Sequence, residues 1–166
     1  MKAEVKNMIN STLCYIEKDG KYLMLCRNRK KKDCNFGKWI GVGGKLEEGE
    51  GPENCLLREV REETGFILTA YKIRGIVTFV SDKWETEQMY LFTADGFEGE
   101  LCGCDEGTLE WISKSKISEL SLWKGDRIFL RLIAEEAPFF LLRLEYHGDD
   151  LISAKLDGEE LIDEKE

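Results

Sequence analysis

The chain has 166 residues, a length that favours one domain with a single core. Its formal net charge of −9 argues against binding to nucleic acid polymers or acidic membranes, both of which favour an excess of Lys and Arg. No apolar run approaches the ~20 residues of a membrane span. A local basic pocket for a small phosphorylated ligand is still compatible with this charge.

The six cysteines are expected to be reduced thiols. No secretory signal pattern precedes them in the polar N-terminal segment, and several lie in apolar runs, where a thiol packs as a small hydrophobic group. Cys102 and Cys104 are too closely spaced for a usual zinc knuckle, and the only histidine, His147, lies far along the chain. We therefore expect a cytoplasmic protein, with neither a disulfide framework nor a structural zinc site.

The first part of the chain predicts a hairpin and then a helix. Residues 11–28 are typical of two strands joined by a turn at Asp19-Gly20. A basic polar loop and a glycine-rich connector follow. Pro52 suits the first turn of a helix, and the glycine after Thr64 suits the position that closes one. We predict a helix between these two residues.

The second part of the chain predicts strands around a second helix. Runs rich in β-branched and aromatic residues indicate three strands, over 74–84, 87–97 and 108–113. The second helix is expected from Gly125 to Glu136, stopped by Pro138. A last hairpin over 139–157 turns at 147–150. This order predicts an α/β sandwich, with a mixed sheet between helices, in a single domain over residues 1–166.

Three glutamates crowd the C-terminal end of the first predicted helix, where the helix dipole disfavours acidic side chains. The helical wheel places a buried stripe at Leu56, Leu57 and Val60. Glu63 lies about 20° from Leu56, and Glu59 and Glu62 lie within roughly 80° and 120° of it, so the acids border the apolar face. A solvated charged face is one interpretation. The other is a set of oxygen ligands for Mg²⁺ or Mn²⁺.

A longer pattern favours the second interpretation. The segment GKLEEGEGPENCLLREVREETGF, residues 44–66, fits G-x5-E-x7-R-E-U-x-E-E-x-G-U, where U is apolar, at every specified position. The residues that match are Gly44, Glu50, Arg58, Glu59, Val60, Glu62, Glu63, Gly65 and Phe66. This is the Nudix box, and the chain resembles the Nudix hydrolases. The resemblance implies an α/β/α sandwich with a loop–helix–loop box, and Mg²⁺-dependent hydrolysis of a nucleoside diphosphate linked to a group X.

The resemblance also implies roles for individual residues. Glu59, Glu62 and Glu63 would bind the metal, with the carbonyl of Gly43 as a further candidate ligand. Arg58 would orient a carboxylate, with Glu50 as the candidate, through two parallel hydrogen bonds.

The general base is expected to be a carboxylate, because His147 lies alone in a turn-like segment. Glu59, Glu62 and Glu106 are the candidates, and in the subfamily that the chain resembles an acid precedes a strand like the one at 108–113. A plain turn acid is the alternative for Glu106.

Two outer segments, WIGVGGK and LWKGDRIFL, resemble the branch that hydrolyses 8-oxo-dGTP and other oxidised purine nucleoside triphosphates. The residues that this likeness singles out for the substrate are Trp39, Ile40, Lys45, Trp123 and Asp126. Trp123 offers a face for stacking, and Asp126 can hydrogen-bond a base edge; a core aromatic and a first-turn acid are the alternatives. Ile40 stands where the human-type enzyme has an asparagine, and one acid rather than two follows Trp123. The basic run at 27–32 either holds phosphate or is solvated.

These observations lead to one main hypothesis and two alternatives. The main one is a Mg²⁺-dependent pyrophosphohydrolase, a monomer or homodimer, that removes oxidised purine nucleoside triphosphates before mutagenic incorporation. The second keeps the chemistry and changes the substrate to ADP-ribose, a dinucleotide or another nucleoside triphosphate. The third is a nucleotide-sensing module without turnover.

Overall fold

The computed structural model describes residues 8–103 and 105–161, so Cys104 lies outside the described residues. The strands are β1 (Ile9–Lys18), β2 (Lys21–Cys26), β3 (Trp39–Ile40), β4 (Ile67–Ser81), β5 (Glu87–Glu98), β6 (Thr108–Ser113), β7 (Phe140–His147), β8 (Asp150–Leu156) and β9 (Glu159–Glu160). The helices are α1 (Pro52–Thr64) and α2 (Lys124–Ala134), with a short 3₁₀ helix at Lys114–Glu119.

Within the described residues, the strands form a nine-stranded mixed sheet in the order β3-β2-β1-β5-β4-β7-β8-β9, with β6 also paired to β2. The β1–β5 and β4–β7 pairs are parallel, and the other pairs are antiparallel. The predicted hairpin turn is present, because Asp19 and Gly20 both have positive φ, as a two-residue turn between twisted strands requires. Its strands β1 and β2 then diverge.

Where β2 has separated from β1, the glycine-rich segment before α1 pairs with the free edge of β1 instead. Cys14 exchanges backbone hydrogen bonds with Val42, and the Thr12 N–H donates to the carbonyl of Gly44. A Cβ on Gly43 would lie 2.0 Å from the carbonyl oxygen of Thr12, so this close approach requires glycine. The segment that leads into α1 is thereby fixed against β1.

The two helices lie on opposite faces of the sheet. Thr12 contacts Cys55 of α1 through its hydroxyl, whereas the ring of Tyr15 lies against Phe129 of α2. Side chains an odd number of positions apart along a strand point to opposite faces. The α/β sandwich predicted from the sequence is therefore confirmed.

Helix α1 has the predicted bounds, and Gly65 closes it with a φ of 86°. One prediction for this helix is wrong: Leu57, assigned to the buried stripe, is 37% exposed. Helix α2 begins one residue earlier than predicted and ends two residues earlier. Strand β4 begins at Ile67 rather than at residue 74, and the two-residue strands β3 and β9 were not predicted.

The five cysteines that the structure describes are free thiols. Within residues 8–103 and 105–161, no helix has both the length and the apolar content to cross a membrane.

Candidate active site

A pocket of about 480 Å³ opens between β1, the loop between β2 and β3, the loop after β4 and the start of α2. Part of its lining is cationic or backbone: Arg27, Lys30, Lys32, Gly43, Gly44 and Lys45. Another part is apolar or aromatic: Leu13, Ile40, Phe79, Trp84, Met89 and Trp123. A pocket with both kinds of lining suits a ligand that carries phosphate at one end and a planar apolar group at the other.

Arg58 organises the loop before α1. Its Nε and Nη2 donate to the two carboxylate oxygens of Glu50, at 2.7 and 2.9 Å, which is the bidentate contact expected from the sequence. Nη2 also donates to the carbonyl of Lys45 at 3.1 Å. These hydrogen bonds from Arg58, helped by the backbone N–H of Glu47, lower the pKa of Glu50 to about 2. The loop is therefore held to α1 by a permanently charged pair.

The third guanidinium nitrogen of Arg58 draws two further acids together. Its Nη1 lies 2.9 Å from Glu59 Oε2 and 3.2 Å from Glu62 Oε1. A Cβ on Gly44 would lie 2.4 Å from the carboxyl carbon of Glu59, so the Glu59 carboxylate fills the space that the glycine leaves open. Burial raises the pKa of Glu59, whereas Glu62 is 60% exposed on its side-chain surface.

Glu63 is buried beneath the same loop. Its Oε1 accepts a hydrogen bond from the backbone N–H of Gly43 at 3.0 Å. Burial raises the pKa of this carboxyl to about 8, although the Gly43 N–H acts in the opposite direction. A buried acid at the negative end of a helix is therefore either protonated or, in its charged form, balanced by a cation.

The fit of these acids to a divalent metal follows from their donor atoms. In the part of the chain that the structure describes, no three acidic, histidine or cysteine side chains already form a metal-binding cluster. However, Glu59 and Glu62 converge on one cationic nitrogen of Arg58, and Glu63 is held beside the backbone of Gly43. Hard oxygen donors around a cation are what Mg²⁺ and Mn²⁺ prefer. The chemistry of the donor atoms therefore fits such an ion, while in this structure Glu59 and Glu62 are paired with Arg58 instead.

Glu106 lies beside the pocket because β6 pairs with β2. The register places Thr108 opposite Cys26, so the residues just before β6 meet those just after β2. Glu106 forms an ion pair with Nη2 of Arg27 at 3.1 Å, and Nε of Arg27 donates to Asp33 at 2.7 Å. The negative charge of Glu106 is close enough to Glu59 and Glu63 to contribute to the raised pKa values of both carboxyls.

Asp126 is a buried acid on the apolar side of the pocket. It is 6% exposed and lies in the first turn of α2. Burial raises its pKa to about 8, while the charges of Lys38 and Arg127 lower it. At neutral pH this carboxyl is therefore mostly protonated, and it can donate as well as accept a hydrogen bond.

Trp123 forms a wall of the pocket rather than an open stacking surface. It is 5% exposed, and its Nε1 donates to Asn35 Oδ1 at 2.8 Å. Tyr146 meets the ring edge-on, and Lys38 Nζ lies 4.8 Å from the ring centroid. Lys38 therefore lies over one face of the ring, which leaves less of Trp123 open for the purine stacking predicted from the sequence.

The structure brings most of the predicted substrate residues together. Ile40, Lys45, Trp123 and Asp126 all line the pocket. Trp39 does not, because neighbouring residues in a strand such as β3 point to opposite sides.

Sequence reasoning left two lining residues open and missed other residues of the site. Lys30 and Lys32 belong to the basic run, for which phosphate binding and a solvated face were both considered. Lys38, which is not among the lining residues, reaches the ring of Trp123 across a loop. Trp84 was assigned to the end of a strand but lies in the loop after β4. These residues follow neither the period of a helix nor that of a strand, so the sequence pattern does not predict that they come together; the folded loops show it.

Known proteins resemble this chain in sequence and fold. A family model described as the NUDIX domain matches residues 8–133. A Danio rerio protein named oxidized purine nucleoside triphosphate hydrolase is 32% identical over 148 residues, which cover 88% of this chain and 92% of that protein. The CTP pyrophosphohydrolase of Escherichia coli is 39% identical over 120 residues, covering 72% and 86%. The crystal structure of a mutator MutT protein from Bacillus halodurans has a TM-score of 0.80 and 28% identity, covering 91% of this chain and 99% of that chain.

Proposed function

The chain belongs to the NUDIX family and is a Nudix hydrolase, and we propose that it cleaves purine nucleoside triphosphates, including oxidised ones such as 8-oxo-dGTP, to the monophosphate and pyrophosphate. One observation carries this proposal. A single pocket contains both the glycine segment that leads into the box helix and a buried carboxyl, Asp126, among aromatic side chains. The first suits a polyphosphate and the second suits a base.

The base is proposed to lie against Ile40, Phe79 and Trp123. Asp126, mostly protonated at neutral pH, can donate to a base carbonyl or ring nitrogen and accept from a base N–H. Within this part of the lining Ile40 adds only an apolar surface. Discrimination between bases therefore depends mainly on one carboxyl group, since a mismatched partner would leave it without a hydrogen bond.

The triphosphate is proposed to lie along the cationic side of the pocket. Lys45 follows the glycine segment directly, and Arg27 is held by Asp33 and Glu106 on the opposite loop. Both side chains can neutralise phosphate oxygens, and charge neutralisation with correct positioning supplies most of the catalysis in phosphoryl-type transfer.

Glu59, Glu62, Glu63 and the carbonyl of Gly43 are proposed to hold Mg²⁺, or Mn²⁺ in its place. When bound, the metal supplies charge neutralisation at the phosphate oxygens and a water of lowered pKa. The residues of the chain position the loop and accept a proton. Arg58 fixes the loop through Glu50, and a carboxylate takes the proton of the attacking water. Glu59, Glu62 and Glu106 are the candidates for that carboxylate.

Pyrimidine nucleoside triphosphates are the second candidate substrates, because a relative with 39% identity is named CTP pyrophosphohydrolase. Release of pyrophosphate should be measured in parallel from 8-oxo-dGTP, dGTP, dATP, CTP and ADP-ribose, with Mg²⁺ and then with Mn²⁺. We expect the highest kcat/KM with an oxidised purine nucleotide. A higher value with CTP would favour the second candidate, and a higher value with ADP-ribose would contradict both. The cellular role we propose is nucleotide-pool cleaning in the cytoplasm, by a monomer or a homodimer.

A further inference from the structure

The aromatic side chains that line the pocket differ in the surface they leave free. Phe79 is 7% exposed, and its ring meets that of Trp123 edge-on at 5.4 Å. Trp123 is equally buried, as described above. Trp84 is different, because it lines the same pocket and is only half-buried. Among the described aromatic lining residues, Trp84 therefore has the most ring surface to offer to a planar ligand.

The loop that carries Trp84 is held at both of its ends. At the end of β4, the hydroxyl oxygen of Ser81 accepts hydrogen bonds from the backbone N–H groups of Lys83 and Trp84, at 2.9 and 3.0 Å. Just before β5, the carbonyl of Thr86 accepts a hydrogen bond from the N–H of Ile9 in β1. The backbone of the loop is therefore tied to strands on both sides of the pocket.

A third contact ties the same loop to the turn between β7 and β8. Asp82 accepts a hydrogen bond from the N–H of Gly148 at 2.9 Å, and its other oxygen lies 2.8 Å from Nδ1 of His147. The Gly148 N–H lowers the pKa of Asp82, so its carboxylate is charged at neutral pH. Three separate anchors make this loop a fixed part of the pocket wall, and an aromatic ring on a fixed wall stacks at a small entropic cost.

We propose that Trp84 is the residue on which the nucleotide base stacks. This inference rests on the proposed function, because it assigns a further specificity-determining residue to the same pocket. The chemical basis is the area of the indole ring: Lys83 Nζ lies 5.3 Å from the ring centroid and covers one face, so the base would stack on the other face. Stacking of a base on an aromatic side chain changes affinity by about 5- to 150-fold.

The test is a comparison of binding by Trp84→Ala, Trp84→Phe and the unchanged protein. Calorimetry with Mg²⁺ measures two probes: the non-cleavable α,β-methylene analogue of dGTP and inorganic triphosphate, which has no base. Trp111→Phe is the matched control, because Trp111 packs against Phe97 and does not line the pocket. Thermal melting verifies that each variant is folded, and pyrophosphate release from dGTP is measured alongside.

We expect Trp84→Ala to bind the dGTP analogue about 5- to 150-fold more weakly and to bind inorganic triphosphate as the unchanged protein does. Trp84→Phe should recover most of the affinity, and Trp111→Phe should match the unchanged protein. Unchanged binding of the analogue by Trp84→Ala would overturn the inference. So would an equal loss for both probes, which would mean that Trp84 only supports the loop.

The outcome also separates this inference from the proposed function. A selective loss in Trp84→Ala, with no pyrophosphate released by the unchanged protein, would support the stacking role and refute the hydrolysis. Failure of the unchanged protein to bind either probe would overturn both.

Discussion

The two sides of the pocket are built in different ways. The box side is the continuous segment Gly44–Phe66, which lines the pocket through Gly44 and Lys45 and is joined by charged hydrogen bonds around Arg58. The other side, where we propose that the base binds and which we call the base side, is assembled from β3, β4, β5 and the start of α2, and it is held mainly by aromatic contacts. Reactive groups can be encoded in a short stretch of chain, whereas a pocket that selects a substrate depends on the whole topology.

Each side also contains a buried carboxyl whose pKa is raised to about 8, but the surroundings differ. Glu63 accepts a backbone hydrogen bond from Gly43 and lies near the charges of Glu59 and Glu106. Asp126 has no acidic neighbour among the charges that shift its pKa; Lys38 and Arg127 act on it instead. The first arrangement suits a bound cation, and the second suits a neutral hydrogen-bonding group.

The largest effect is expected on the box side, from Glu62→Gln. The change keeps the shape of the side chain and removes its charge, so turnover should fall by at least about a hundredfold. The free energy of unfolding should change by less than about 0.5 kcal/mol, because the side chain is mostly exposed. Pyrophosphate release with Mg²⁺ and a thermal melt measure the two quantities. Glu48→Gln, an exposed box position outside the pattern, is the control and should keep full activity. Normal turnover in Glu62→Gln would show that the box acids are merely structural.

The sequence predicts the box side of the pocket better than the base side. The box helix and its closing glycine were predicted from residues a few positions apart, and the Arg58–Glu50 contact was predicted through the resemblance of the box. Asp126 was predicted only through resemblance. The enclosure of Trp123 by Asn35, Lys38 and Tyr146 was not predictable, because these contacts join loops and strands that are distant in the chain.

On the base side, Asp126→Asn should change how stability depends on pH. With the native pKa raised to about 8, the folded protein keeps a proton that the unfolded chain releases above about pH 4. Between about pH 4 and about pH 8 the free energy of unfolding therefore falls as the pH rises. For one group the slope is at most about 1.4 kcal/mol per pH unit. Asparagine is neutral at every pH, so the variant should gain stability relative to the unchanged protein from pH 5 to pH 9.

Urea denaturation at pH 5, 7 and 9 measures this difference. Taking the difference between the two proteins cancels the contribution of Glu63, whose raised pKa gives a slope of the same sign. Asp95→Asn, at an exposed position of β5, is the matched control and should show a constant difference. A constant difference for Asp126→Asn as well would mean that Asp126 is already ionised in the folded protein.

The two sides should also respond differently when a glycine becomes alanine. In Gly125→Ala, the new Cβ would lie 2.5 Å from Leu144 Cδ1 and 2.7 Å from the Tyr146 hydroxyl, so overpacking should lower the free energy of unfolding by about 1–2 kcal/mol. In Gly44→Ala, the Cβ meets the carboxyl group of Glu59, the far end of a side chain that can shift, so stability should fall less than in Gly125→Ala while turnover falls. Denaturation and pyrophosphate release on both variants test the contrast. Equal losses of stability would mean that the Gly44 loop is as tightly packed as the start of α2.

The smallest change in the free energy of unfolding is expected from Leu57→Ala in α1, at the one residue that the helical wheel misplaced. Leu57 lies about 100° from Leu56, on the side away from Cys55 and Glu63, so the buried face is centred on the acid and not on the second leucine. Leu57→Ala should therefore lower the free energy of unfolding by less than about 1 kcal/mol. Leu56→Ala, at a fully buried position, should cost about 2–5 kcal/mol. Urea denaturation of both variants measures the two losses of unfolding free energy. Similar losses at the two positions would mean that α1 is rotated in solution, and that Glu63 is more exposed than the site requires.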